Sequence, residues 1–240
     1  MLTMDRLNYI TTHSYEYVTT DSAASATAFA TGQKTHYQGV SVKPGTTKEQ
    51  ENNEKYHLKT TLEQAEDRGW KTGLVATSRI VHATPAAFAA HRANRNSDKA
   101  IARDMAQSGV DVLLGGGRKY FNDRSDGQNL WAGFEKDGYQ LAESADQLQS
   151  AFGVADRLVG LFHRDDPPGI GSEGGRAMSL PKLTEGAIEV LDRNNDEGFF
   201  LMVEGSQIDW EAHDLDSAIM DGPQRASRFD GSYFAVPIDI

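Results

Sequence analysis

Cysteine is absent from this chain. That excludes disulfides and any thiolate metal centre, so a metal ion would have to be held by His, Asp, Glu and hydroxyl side chains. It does not fix the compartment. Basic residues are in deficit: 24 Lys and Arg stand against 35 Asp and Glu, a formal net charge of −11. Such a surface argues against nucleic-acid and anionic-membrane partners. An acidic protein that handles an anion must build a local positive site from metals, Arg or helix ends. No apolar run approaches the ~20 residues of a transmembrane helix. The start, MLTMDRLNYITTHSYEY, lacks the basic-then-apolar pattern of a signal peptide. What remains, 240 residues at 38% hydrophobic content, suffices for one sizeable domain or one domain with an insertion.

One stretch stands out, TTDSAASATAFATG (19–32). Its Ala-rich composition predicts a helix from Ser22 to Thr31, capped by Asp21 or a neighbouring Thr and stopped by Gly32. Ser22 then sits in the first turn, where free N–H groups and the helix dipole favour an anion. A buried small-residue helix with a merely capping serine explains the same letters. Further along, helices are predicted over 58–69, 96–109, 144–153 and 180–194, and strands over 71–77, 110–117 and 198–205. Residues 33–57, with the charge run KEQENNEK, read as solvated loop; 118–140 read as irregular and 164–179 as loop. Alternating helix and strand predict an α/β fold, a sheet covered on both faces.

Ligands of open α/β sheets bind outside the carboxyl ends of strands. After the 71–77 strand come His82, Thr84, His91 and Arg95; after the 198–205 strand come Glu204, Asp209 and His213. Asp209 and His213 are four apart, so a helix puts both on one face, where they can hold zinc. Glu204 suits a harder cation such as magnesium. Singly each has a plain structural reading. Asp209 can cap a surface helix, Thr84 can cap a helix begun by Pro85, Arg95 can be solvated, and His91 can be packed in an apolar Ala/Phe stretch. Gly115–Gly117 matches no phosphate-loop pattern and reads as a strand-ending turn. Together, Ser, Arg, carboxylates and His at one sheet edge suit phosphoryl transfer.

The four stretches TTDSAASATAFATG, HATPAAFAAHRANR, VDVLLGGGRKYF and VEGSQIDWEAHD resemble, in order, the successive motifs of the alkaline phosphatases, with His82 and Trp210 as in the marine-bacterial type. The resemblance runs over about residues 15–221. It implies an α/β/α sandwich around a mostly parallel sheet and metal-dependent hydrolysis of phosphate monoesters through a phosphoserine on Ser22. It implies Arg95 as the clamp on two phosphate oxygens, Asp209 and His213 as ligands of one zinc ion, and Thr84 and Glu204 as ligands of magnesium. His82 and Trp210 are implied to lie behind and beside the phosphate. Family members are usually exported homodimers. The family's earlier strand with its G-D-G-M-G aspartate, and its later Asp-His pair and last His, have no counterpart in this sequence, and Gly222-Pro223 breaks the expected helix. The expectation is therefore an incomplete sheet over 1–221 with an atypical, frameshift-like tail over 222–240. Activity is in doubt, and a non-catalytic fragment with residual metal or anion binding is the alternative.

Overall fold

The computed structural model describes residues 10–169, 178–210 and 213, with the backbone of Phe234 and Ala235. Among the described residues six strands form one sheet: β1 (Lys71–Arg79), β2 (Val112–Gly116), β3 (Gln140–Ala142), β4 (Leu158–Leu161), β5 (Phe199–Glu204) and β6 (Phe234–Ala235), in the order β3-β4-β2-β1-β5-β6. β1 to β5 are parallel; β6 pairs antiparallel with β5. β1 lies between β2 and β5, with Leu74 level with both Leu113 and Met202.

Alternation along the strands sorts their side chains into two cores. Leu74, Leu113, Val159 and Met202 face one side, joined by Ala23, Ala26, Phe88, Ile101 and Met105. Val75, Leu114, Leu158 and Leu201 face the other, joined by Leu148, Leu183, Val190 and Leu191. The first core is roofed by α1 (Ser22–Thr31), α2 (Thr61–Glu66), α3 (Ala83–Ala89) and α4 (Asp98–Gln107), with the short α5 (Lys119–Asn122) and α6 (Leu130–Lys136). The second is roofed by α7 (Ala145–Ala151) and α8 (Leu180–Asp192). This is an α/β/α sandwich. Among the described residues no helix is long and apolar enough to cross a membrane.

The differences from the sequence reading are local. Residues 118–140 hold α5 and α6, too short for a periodic signal; their order comes from packing Phe121 and Phe134, fully buried with Tyr139 against them. β3 and β4 are three and four residues long and carry no flanking signal of their own. The helix expected from 58 starts only after Thr60, where a capping box with Glu63 begins α2. Pro85 does not open its helix: α3 starts at Ala83, with Thr84 inside the first turn and no side-chain cap. In the KEQENNEK run, Glu51 is buried rather than solvated, its carboxylate accepting from Ala93 N at 2.8 Å. The loop expected over 164–179 contains no helix or strand at 164–169 and 178–179, and its remainder lies outside the described residues. So does the tail 222–240, β6 apart.

Thr60 is fully buried, accepts from Glu63 N at 3.1 Å and donates to Phe88 O at 2.8 Å. Thr60→Ala is expected to cost about 1–2 kcal/mol in urea unfolding, with Thr60→Ser close to wild type. Equal losses in both variants would show that the methyl group, not the cap, matters.

Candidate functional site

The chain leaves β1 toward β2 on one side, whereas β5 enters on the other. The reversal opens a crevice at the carboxyl ends of β1 and β5. A cleft of about 940 Å³ lies there. It is lined by Ser22 from α1, by His82, Thr84 and Arg95 from the segment after β1, and by Glu204, Asp209, Trp210 and His213 from β5 and beyond. These eight residues thus line one space, whereas His91, from the same segment after β1, lies outside it.

α1 explains how Ser22 gets there. Every residue of the helix from Ala23 to Ala30 except Ser25 and Phe29 is buried, and all the buried ones are Ala or Thr. Such small side chains let α1 pack closely on the equally Ala-rich α3. Gly32, at φ 68°, ends it in the left-handed conformation that glycine adopts without strain. At the other end Asp21 is the N-cap, accepting from Ala23 N at 3.2 Å and Ala24 N at 3.1 Å. Ser22 is the first helical residue and half-buried.

Asp21 has a second task that the sequence did not disclose. Its carboxylate also accepts from Gln38 N at 3.1 Å and from Arg95 Nη1 at 3.1 Å. The other outer nitrogen of Arg95, Nη2, lies 3.2 Å from His82 Nε2. The guanidinium is therefore held from two sides beside Ser22, with one further N–H on each outer nitrogen. Burial, then the positive charges of Arg79 and Arg95, pull His82 down to about 4. The imidazole is neutral near pH 7. Because Nε2 faces a guanidinium, which only donates, the proton is assigned to Nδ1. Trp210 meets His82 edge-on, ring centres 5.9 Å apart.

Glu204, at the end of β5, is only 7% exposed. Ser206 donates to its Oε2 at 2.5 Å and lies 3.0 Å from Ser78 Oγ; the Thr84 hydroxyl lies beside the same carboxyl. Burial pushes this carboxyl up, against the pull of those hydroxyls and of Arg95. Ser206 and Ser78 were not anticipated; a serine two residues after a strand-end glutamate is too common a pattern to signal anything. Gln207 ties the following helical turns to β1 through Thr77 O at 3.2 Å. Asp209 Oδ1 and His213 Nε2 are 3.6 Å apart, one helical turn along. Among the described residues, no three His, Asp or Glu side chains converge as a metal cage. The donors nevertheless fit the two implied ions unequally. Glu204 with Thr84 and Ser206 is an oxygen set suited to magnesium. Asp209 with His213 supplies one oxygen and one nitrogen, half of a tetrahedral zinc set.

Fold and cleft together define an α/β/α protein with a helix-start serine and an arginine at the crevice of a parallel sheet. Comparison with known proteins narrows this. The Alkaline phosphatase family model matches residues 1–230, and the chain belongs to that family. It is 40% identical over 216 residues to alkaline phosphatase 4 of Bacillus subtilis, covering 84% of this chain and 42% of the relative. Alkaline phosphatase 3 of the same organism is 41% identical over 203 residues, covering 82% and 41%. Among solved structures, the alkaline phosphatase of the Antarctic bacterium TAB5 is similar with a TM-score of 0.75 at 35% identity, over 87% of this chain and 58% of that one. That of Thermus thermophilus gives 0.77 at 31% identity, over 87% and 43%. The chain thus spans less than half the length of these two curated relatives.

Proposed function

We propose that the cleft is a site of metal-dependent phosphomonoester hydrolysis with Ser22 as nucleophile. The observation that carries this reading is the convergence, in one cleft, of a helix-start serine, a two-point-anchored arginine and separate oxygen and nitrogen donors. A variant of the TAB5 protein is solved with Mg bound, which supports a magnesium role for this family.

Arg95 and the Ser22 N–H, the one first-turn amide of α1 that Asp21 does not take, receive the phosphate oxygens. That leaves phosphorus facing Ser22 Oγ. Ser22 Oγ gives up its proton and bonds to phosphorus as the P–O bond to the ester oxygen breaks, and that oxygen takes up a proton and leaves as the alcohol. Water then attacks the phosphoserine, the Oγ–P bond breaks, and phosphate leaves with Ser22 restored. Magnesium at Glu204 and Thr84, and zinc at Asp209 and His213, supply when bound the positive charge that favours the Ser22 alkoxide and the departing oxygen. His82, neutral and backed against Arg95, orients the clamp without adding charge.

One observation favours a second reading, phosphate or metal binding without turnover: the described donors give zinc only Asp209 and His213. The purified chain, assayed on an aryl phosphate at alkaline pH with Zn²⁺ and Mg²⁺ beside Ser22→Ala, separates the two. Turnover lost in Ser22→Ala supports hydrolysis. Phosphate binding without turnover supports the second reading, and turnover that survives Ser22→Ala overturns the assignment of Ser22.

Arg95→Lys tests the clamp. Lysine keeps the charge but loses the fork that reaches Asp21 and His82 together. Phosphate affinity, measured by calorimetry or as KM, is expected to weaken by about 10-fold or more. An unchanged affinity would mean that charge alone suffices.

A further inference from the structure

A second cleft, of about 880 Å³, shares no lining residue with the first. Against it lie two imidazoles stacked face to face, His57 and His91, ring centres 4.1 Å apart and planes 4° from parallel. The neighbours of His91 are of one kind. Its Nδ1 is 2.7 Å from the carbonyl oxygen of Ser41, and its Nε2 is 2.9 Å from Glu63 Oε1. A carbonyl only accepts, and an ionised carboxylate only accepts. Glu63 is held in its ionised form: burial works against it, but the His91 bond and charge and the Thr60 bonds bring it below the usual carboxylate range. Two acceptors on two ring nitrogens require two N–H groups. The geometry therefore specifies an imidazolium.

The residues tied together are unusual. Ser41 is fully buried and has φ 44°, a left-handed conformation that costs a non-glycine residue energy and turns up where the surroundings dictate it. It belongs to a segment that reaches the first cleft. Val40 and Arg92 exchange two backbone hydrogen bonds of 2.9 Å, Arg95 N donates to Gln38 O at 2.9 Å, and Gln38 N donates to Asp21.

We propose that His91 is a charged bolt: as an imidazolium clamped between Ser41 and Glu63 it fixes segment 38–41 against the Arg95 strand of chain, and it lets go when it loses its proton. This does not depend on the phosphatase reading of the first cleft. Charged groups face the bolt from every element packed on it. Glu63 stands on α2, and Asp104 on α4 accepts from His91 N at 3.2 Å. Glu51 and His57 come from the preceding loop, and the nearby Arg92 is neutralised by Asp104 and Glu51. Burial pulls His91 down, but Glu63, the Ser41 carbonyl and Asp104 outweigh it and set it above its ordinary value of 6.5. His57 moves the opposite way, lowered by burial and by the charge of His91 in spite of its bond to the Glu51 carbonyl. A raised folded-state value means that the stabilisation is complete below 6.5 and is lost as pH rises through the folded value. The joint loosens on the alkaline side.

The test is ¹⁵N NMR of the histidine rings in the full chain, with Glu63→Gln beside it. Expected are two protonated nitrogens on His91 near neutral pH, a His91 midpoint above that of His57, and an Arg95 amide that shifts with the His91 midpoint. Glu63→Gln is expected to lower that midpoint by ~1 pH unit or more, and its deficit in Tm against wild type is expected to shrink between about pH 6 and about pH 9. A His91 ring with a single N–H at about pH 6, an Arg95 amide indifferent to that titration, or a Tm deficit constant with pH overturns the proposal. Should Glu63→Gln fail to fold, the wild-type titration decides alone.

Discussion

Under the proposed hydrolysis, Ser22→Ala is expected to reduce turnover of an aryl phosphate by at least about 10³-fold, because removing the proposed nucleophile leaves only the contribution of binding and charge. It is expected to leave stability within about 0.5 kcal/mol of wild type. The two effects separate because of where Ser22 sits. It is not the cap; Asp21 is, and the capping bonds run from Asp21 to Ala23 and Ala24. The Ser22 hydroxyl bonds no other side chain or backbone group among the described residues, and alanine is the better helix former at that position. Phosphate binding to Ser22→Ala, measured by calorimetry, should persist, since Arg95 and its anchors are untouched. A variant that neither folds nor binds phosphate would show Ser22 to be structural.

Gly116→Ala is expected to cost about 3 kcal/mol in urea unfolding, an overpacking effect. Gly116 ends β2, and a Cβ there would overlap the carbonyl oxygen of Asp165 and lie 2.7 Å from Pro167 Cδ. That turn cannot simply step aside. Gly117 N bonds Asp165 O at 2.9 Å and Arg118 N bonds His163 O at 3.1 Å. Asp166 holds Arg79 through backbone N at 2.7 Å and Nη1 at 2.8 Å, and Gln207 donates to Pro167 O at 2.9 Å. The turn braces the end of β1 and the helical turns that carry Asp209. Phosphate affinity is therefore expected to fall along with stability. A loss below about 0.5 kcal/mol would show that the turn relaxes freely.

What the sequence disclosed follows from how local each cause is. The Ala run, its aspartate and Gly32 define α1 within a dozen residues, and the structure gives the same bounds. The 71–77 run reads as a buried strand because both its faces are covered. Looking after strands led to His82, Thr84, Arg95, Glu204, Asp209 and His213, which share one cleft because sheet topology gathers strand ends by geometry, whereas His91 from the same segment faces the other cleft. Missed features have remote causes. Asp21 looks like a cap until Arg95, far along the chain, is seen bonding to it. Gly116 looks like a turn residue until Asp165 is seen against it. His91 reads in the sequence as a packed histidine, and it is largely buried; its two acceptors come from Ser41 and Glu63, which no spacing rule connects to it.

The strand order has a consequence for how the molecule comes into being. β1 emerges from a ribosome early and can pair at once with β2, but its other neighbour, β5, is made last of the parallel strands, with Lys71 waiting for Phe199. The cleft lies between those two strands. During synthesis, Ser22 and Arg95 are therefore present well before the Glu204 and Asp209 side of the cleft exists. Closure of this long loop is slow and entropically costly. Until it happens one edge of β1 stays open to pairing with other chains. The most chemically equipped part of the protein is thus also the part whose assembly is most exposed to going wrong.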